Sequence, residues 1–281
     1  MAPERQPRLQ QLILLLPLPL LLLPLLLLPL LPLLPRQERQ ERFSQHEPDA
    51  CELVSPAHAA AQLRGATPGF WERVGPANLS ARGARSPDHY LEMYEASMVP
   101  PARLAERDRT ALLTACRAAR AALSASADRE LAAFPWRLVC SAGRRAENGY
   151  AHTVGDTIVI PLERLEKLVG LQRLLVHEAA HVWQRNNPNE ADARAEAMGF
   201  RRAGVEGRGY EGEARANPDT DTTVWTYGGV ACRPILVKGA ASIADVRRRR
   251  YAGAFGNTDN HEHPYEVMAE AAATRHRNVP D

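Results

Sequence analysis

The sequence has little net charge, little lysine and little cysteine, and the first and last of these scarcities each argue against a class of function. Formal charge is +2, from 35 basic against 33 acidic residues in 281 positions, which leaves no electrostatic footprint for nucleic acid over the chain as a whole. Only two of the 35 basic residues, Lys167 and Lys238, are lysine, so arginine carries nearly all the positive charge. Its dense run, Arg247 to Arg250, reads first as a solvated helix face, with binding of an anionic partner as the alternative. Cys51, Cys116, Cys140 and Cys232 are widely spaced, with no C-x-x-C pair. That argues against a cysteine-ligated zinc site and leaves up to two disulfides, in three connectivities, if the chain enters an oxidising compartment. No internal repeat is present.

A long apolar run is present at the start. Leu12 to Pro35 contains only leucine, isoleucine and proline, with Arg5 and Arg8 before it and Arg36, Arg39 and Arg42 after it. This 1–35 leader resembles a signal peptide or signal anchor, so the chain is expected to be secreted or membrane-anchored, with membrane association through residues 12–35. Pro17, Pro19, Pro24, Pro29, Pro32 and Pro35 would disrupt a regular helix in water. Arginine on both flanks leaves the orientation open.

Residues 36–88 mix Pro, Gly, Arg, Ser and Ala without a sustained period and read as a polar linker or stalk, from which Phe70, Trp71 and Val74 dock on the domain. Asn78-Leu79-Ser80 is a glycosylation acceptor triplet in a secreted chain. Residues 89–281 are long enough for one domain with its own core. Within it, Leu104, Leu112, Leu113, Cys116, Ala119 and Leu123 recur at helical spacing over 101–134. Trp136 to Cys140 and Asp156 to Ile160 read as strands, the second ended by Pro161. Residues 190–202 have helical composition, and 203–221 read as a long surface excursion. Val224 to Tyr227 and Pro234 to Val237 read as two strands around Gly228-Gly229. A last helix starts at Pro264, with His263 as its N-cap.

The densest chemistry lies in His177-Glu178-Ala179-Ala180-His181, an H-E-x-x-H run. Upstream Leu165, Leu168, Leu171, Leu174, Leu175 and Val176, with Val182 and Trp183 after it, place the run on a largely buried helix that stops at Asn186-Asn187-Pro188. Histidines four apart share one helical face and can reach one Zn²⁺, while Glu178 is turned toward the place of an attacking water. A catalytic zinc needs a third protein ligand. Glu266 is one candidate, in the first turn of the last helix with Glu270 one turn on, where Glu270 can accept the ring N–H of a ligand histidine. Glu190 is a rival, and the group His261, Glu262 and His263 is another. Tyr227, Tyr251, Tyr265 and His261 are candidate donors to an oxyanion.

The strand, the H-E-x-x-H helix and a downstream helix bearing E-x-x-x-E resemble the zincin metallopeptidases, and within them the gluzincin branch, over roughly residues 157–275. The resemblance implies an α+β, predominantly helical zincin-like domain with a small sheet. It implies zinc on His177, His181 and Glu266, Glu178 as general base and Glu270 behind a ligand histidine. The glycine and third histidine that follow the motif in metzincins are missing, as is the G-x-M-x-N strand of the clan's aminopeptidases. The expected function is metalloendopeptidase action on a protein or peptide substrate. The alternatives are a catalytically silent zinc-binding interaction module, against which an intact Glu178 argues, and a zinc hydrolase of a non-peptide substrate. Oligomeric state is not legible in the sequence.

Overall fold

In the computed structural model, residues 51–65, 69–165, 168–203, 213–247 and 263–276 are described; the leader expected at 1–35 lies outside them. In chain order they form strand β1 (Cys51–Leu53) and helices α1 (Pro56–Gly65), α2 (Phe70–Arg73), α3 (Pro76–Ala81) and α4 (Pro87–Ser97). Strand β2 (Met98–Val99), helix α5 (Glu106–Ser124) and strands β3 (Trp136–Ser141), β4 (His152–Val154) and β5 (Thr157–Pro161) follow. Helices α6 (Leu168–Asn186) and α7 (Pro188–Ala197) lead to strands β6 (Arg201–Arg202), β7 (Trp225–Tyr227), β8 (Val230–Cys232), β9 (Ile235–Leu236) and β10 (Val246–Arg247). Helix α8 (Pro264–Arg275) closes the series. The class is α+β.

The main sheet runs β1-β3-β5-β4. Strand β3 is parallel to β1 and to β5, β2 pairs antiparallel with its end at Cys140 and Ser141, and β4 is an antiparallel edge strand on β5. The two-residue turn between β4 and β5 places Gly155 at φ 56°, a conformation that glycine adopts without a Cβ clash. Side chains alternate across the sheet. Leu138, Cys140, Ile158 and Ile160 meet Leu112 and Ala119 of α5, Leu175 and Ala179 of α6 and Ala269 of α8. Val139 and Val159 face the opposite way, against Leu63 of α1, Phe70 of α2 and Tyr90 and Tyr94 of α4. Helices therefore cover both faces, which is why these strands read as continuous apolar runs.

That second layer corrects the reading of residues 36–88 as a linker. Residues 51–65 and 69–88 are built into the domain, since β1 pairs with β3 and the segment supplies Val54, Ala59, Leu63 and Phe70 to the core. Helices this short and alanine-rich carry too weak an apolar stripe to stand out as periodic. Cys51 is also bonded to Cys116 on α5, closing a separation of 65 residues, a constraint worth about 2–5 kcal/mol. Cys140 and Cys232 are buried, and of the two disulfides the composition allowed the structure shows Cys51–Cys116. Asn78 is fully buried, with Nδ2 donating to the carbonyls of Arg73 (3.2 Å) and Ala214 (2.8 Å). The folded chain therefore cannot be glycosylated there.

The excursion expected at 203–221 is likewise not a surface loop where it is described. Ala214, Ala216, Pro218 and Thr220 are buried, and residues 213–221 form a strap whose carbonyls are taken by three guanidinium groups. Arg73 Nη2 donates to Asn217 (3.0 Å) and Thr220 (2.9 Å), Arg82 Nη2 to Ala216 (2.7 Å) and Arg185 Nη2 to Pro218 (2.7 Å). The expected hairpin also changes partner. Gly228-Gly229, both at positive φ, turn β7 back onto β8, while β9 pairs with β10.

Arg82 and Glu147 anchor the strap from beneath. Their side chains are 1% and 5% exposed and join through Nε to Oε1 at 2.8 Å and Nη2 to Oε2 at 2.7 Å; the Tyr90 hydroxyl also donates to Glu147. Burial pushes the Glu147 carboxyl up, but the charge and hydrogen bonds of Arg82 outweigh it and hold the carboxyl below its usual range. Its contribution to stability is therefore complete above the ordinary carboxylate range and is lost as pH falls through the lowered folded value. Glu147→Gln strands a buried guanidinium and is expected to lower stability by about 3–5 kcal/mol at neutral pH. Urea unfolding of wild type and variant from pH 7 to pH 3 checks this, and an unchanged midpoint at pH 7 would refute it.

Candidate metal centre

Helix α6 carries His177 and His181 on one face, with rings edge to face at 4.9 Å and the two Nε2 atoms 3.2 Å apart. Helix α8 brings Glu266 to them. His263 accepts the Tyr265 backbone N–H at 3.2 Å as N-cap and Pro264 opens the helix, so Glu266 falls in the first turn as expected. Its Oε2 lies 3.4 Å from His177 Nε2 and 3.6 Å from His181 Nε2. These three atoms could hold a metal ion. Four-coordinate bonds of 2.0–2.1 Å place ligand atoms about 3.3–3.4 Å apart, and the observed separations of 3.2, 3.4 and 3.6 Å bracket that value.

The surroundings aim each donor inward. Gln184 Oε1 lies 2.9 Å from His181 Nδ1 while its Nε2 donates to the Tyr265 carbonyl at 2.9 Å, so one amide orients the imidazole and ties α6 to α8. With Nδ1–H donated to Gln184, the lone pair of His181 Nε2 points at the centre. Asn217 Nδ2 donates to Glu266 Oε1 at 2.8 Å, leaving Oε2 for the histidines. Glu270 Oε2 stands 3.8 Å from His177 Nδ1, and Arg173 also pairs with this carboxylate.

Burial opposes a proton on His177 and His181, but Glu266 outweighs it and raises both, with Glu270 adding to the effect at His177. Burial would likewise raise the Glu266 carboxyl, and the two imidazoles instead hold it well below its usual range. The three groups are thus mutually matched, with an anionic carboxylate between two basic rings.

Glu178 points elsewhere. It is 2% exposed and its Oε2 accepts from Thr153 Oγ1, on edge strand β4, at 2.9 Å. Burial, then the negative charge of Asp219, push its carboxyl up to about 7, against the pull of His177, His181 and Thr153. Asp219 itself is half-buried on the strap and accepts the Thr153 backbone N–H at 2.5 Å. Burial raises its carboxyl too. Glu178, His177 and Glu266 open onto a cleft of about 400 Å³, walled by Tyr150, Ala151 and the first residue of β4, His152, by the strap from Arg215 to Asp219 and by Ile243 and Ala244.

The rival ligands are elsewhere. Glu190 is exposed on α7 and pairs with Arg194 at 2.7 Å. His263 is buried as a cap and pairs with Asp221 at 3.3 Å, and its sequence partners His261 and Glu262 lie outside the described residues. Of the expected oxyanion donors, Tyr265 gives its hydroxyl to Asp192 at 2.8 Å and Tyr227 packs on Phe200, so neither lines the cleft; Tyr251 and His261 are outside the described residues. Tyr150, 46% exposed, and Arg215 line it instead. Reasoning from sequence missed Thr153, Asn217 and Asp219, which no motif marks. Gln184, three residues after His181 and so on the same face, carried a readable signal.

Comparison of the chain with protein-family models, curated proteins and solved structures yields no match. What fold and site define together is an α+β protein with two histidines and a carboxylate converging beside a separate buried glutamate.

Proposed function

We propose that this chain is a zincin-like hydrolase that uses zinc on His177, His181 and Glu266 to cleave peptide bonds. The observation that carries the reading is the spacing of the three donor atoms, which matches the edges of a zinc tetrahedron. Two imidazoles and one carboxylate are a donor set suited to zinc. When bound, zinc supplies Lewis acidity and lowers the pKa of water toward 7. Glu178 accepts a proton from the attacking water at its carboxylate and returns it to the leaving amine. Glu178 opens onto the same cleft as His177 and Glu266, and the Thr153 hydroxyl fixes the orientation of Oε2. Gln184 and Asn217 hold His181 and Glu266. Full-length protein should carry about one zinc per chain and cleave denatured protein. Removing the metal with a chelator should abolish cleavage, and zinc should restore it. Cleavage that persists in metal-free protein would refute the reading.

We also propose that residues 1–35 direct the chain to a membrane or into a secretory route. Beyond the apolar run itself, the Cys51–Cys116 disulfide supports this, because such bonds persist in oxidising compartments. A reporter fused to the leader should fractionate with membranes or medium; a soluble cytosolic reporter would refute it.

A further inference from the structure

A second cavity, of about 380 Å³, shares Arg215 and Asn217 with the metal cleft. Three arginines line it, Arg73 from α2, Arg215 from the strap and Arg233 after β8, together with Thr222 and Thr223. The acidic residue on its lining, Glu72, is exposed. Arg73 hydrogen-bonds the neutral carbonyls of Asn217 and Thr220, and its buried Nε has no hydrogen-bond partner among the described residues. Asp221, the acid whose charge acts most strongly on Arg73, is engaged by His263 at 3.3 Å and by Thr223, whose N–H and hydroxyl donate at 2.9 and 3.0 Å.

This is an expensive way to build a wall. Burial pulls the Arg73 guanidinium down to about 10, and the charges of Arg233 and Arg82 add to that pull while Asp221 opposes it. Guanidinium groups gathered in one cavity, with no carboxylate hydrogen-bonded to Arg73 among the described residues, are the donor set that oxyanions fill. Asn217 connects the two cavities physically. Its carbonyl accepts from Arg73 and its amide holds the metal ligand Glu266.

We propose that this cavity is an anion-binding subsite for the carboxylate of a peptide substrate, an acidic side chain or the C-terminus, held by Arg73 and Arg233 while the scissile bond lies in the metal cleft. The assignment to substrate rests on the peptide-hydrolase reading; the presence of an anion pocket does not.

The two parts separate experimentally. Inorganic sulfate titrated calorimetrically into the full chain as purified should bind saturably. Arg233→Gln should weaken it at least about tenfold, the order expected for one charge-assisted contact, whereas the exposed Lys238→Gln should not. Absence of saturable binding, or equal binding by Arg233→Gln, overturns the pocket. Peptide pairs differing as Glu against Gln, or as free C-terminus against amide, are then titrated into Glu178→Gln protein. The acidic member of a pair should bind about tenfold tighter, and the difference should vanish when Arg233→Gln is added. Equal binding of both members, with sulfate still bound, overturns the substrate role and makes a free small anion the ligand. Failure of every peptide to bind overturns the peptide-hydrolase reading and the substrate role of the cavity, while saturable sulfate binding lost in Arg233→Gln still establishes the anion pocket.

Discussion

Glu178→Gln protein is expected to remain folded and zinc-loaded while cleavage of a denatured protein or peptide library falls about 10²–10⁴-fold, the usual contribution of a positioned general base. The expectation rests on a division of labour visible in the structure. Glu178 sits beside His177 in sequence, yet its carboxylate is held by Thr153 and the three converging donors are His177, His181 and Glu266. Glutamine keeps the size of the side chain and can still accept from the Thr153 hydroxyl. It cannot take a proton from water. Equal rates at equal zinc content would remove Glu178 from the mechanism, whereas loss of zinc would show that it supports the metal instead.

The second large effect concerns the third ligand. Glu266→Ala is expected to lose zinc by more than the 10–100-fold typical of removing a partner that only orients a ligand, and Glu190→Ala should retain it. Deleting Glu266 leaves two imidazoles without the carboxylate that faces both, at 3.4 and 3.6 Å. Deleting Glu190 breaks an exposed ion pair with Arg194, which contributes little. Asn217→Ala, which frees Glu266 without removing it, should fall between the two. Metal analysis after dialysis against a weak chelator ranks the three, and retention in Glu266→Ala with loss in Glu190→Ala would reverse the assignment.

What was legible in the sequence was what obeys a local rule. H-E-x-x-H fixes its own geometry once the helix is granted, and a His-Pro start places Glu266 within the first turn of its helix whatever else the chain does. The strands around Val139 and Val159 announced themselves as apolar runs. The remainder depends on contacts between residues far apart in the chain. Asn78 reaches Ala214, Arg82 reaches Glu147 and Thr153 reaches Glu178, and no spacing within one segment encodes such meetings. The same limit explains the misplaced boundary. A short alanine-rich helix such as α1 looks like linker until a sheet face requires covering. Residues 213–221 looked like surface because they are polar and rich in turn formers, although their backbone polarity is satisfied by side chains from three other elements.

The strap's attachment bears on how fast a ligand can enter. A segment tied through its carbonyls to Arg73, Arg82 and Arg185 moves outward only by withdrawing several charge-assisted bonds at once. The cleft it borders is consequently preformed, and association with it requires no prior ordering of that wall. Encounter should then proceed at rates set by diffusion and orientation, with selectivity among ligands expressed in residence time rather than in the speed of capture.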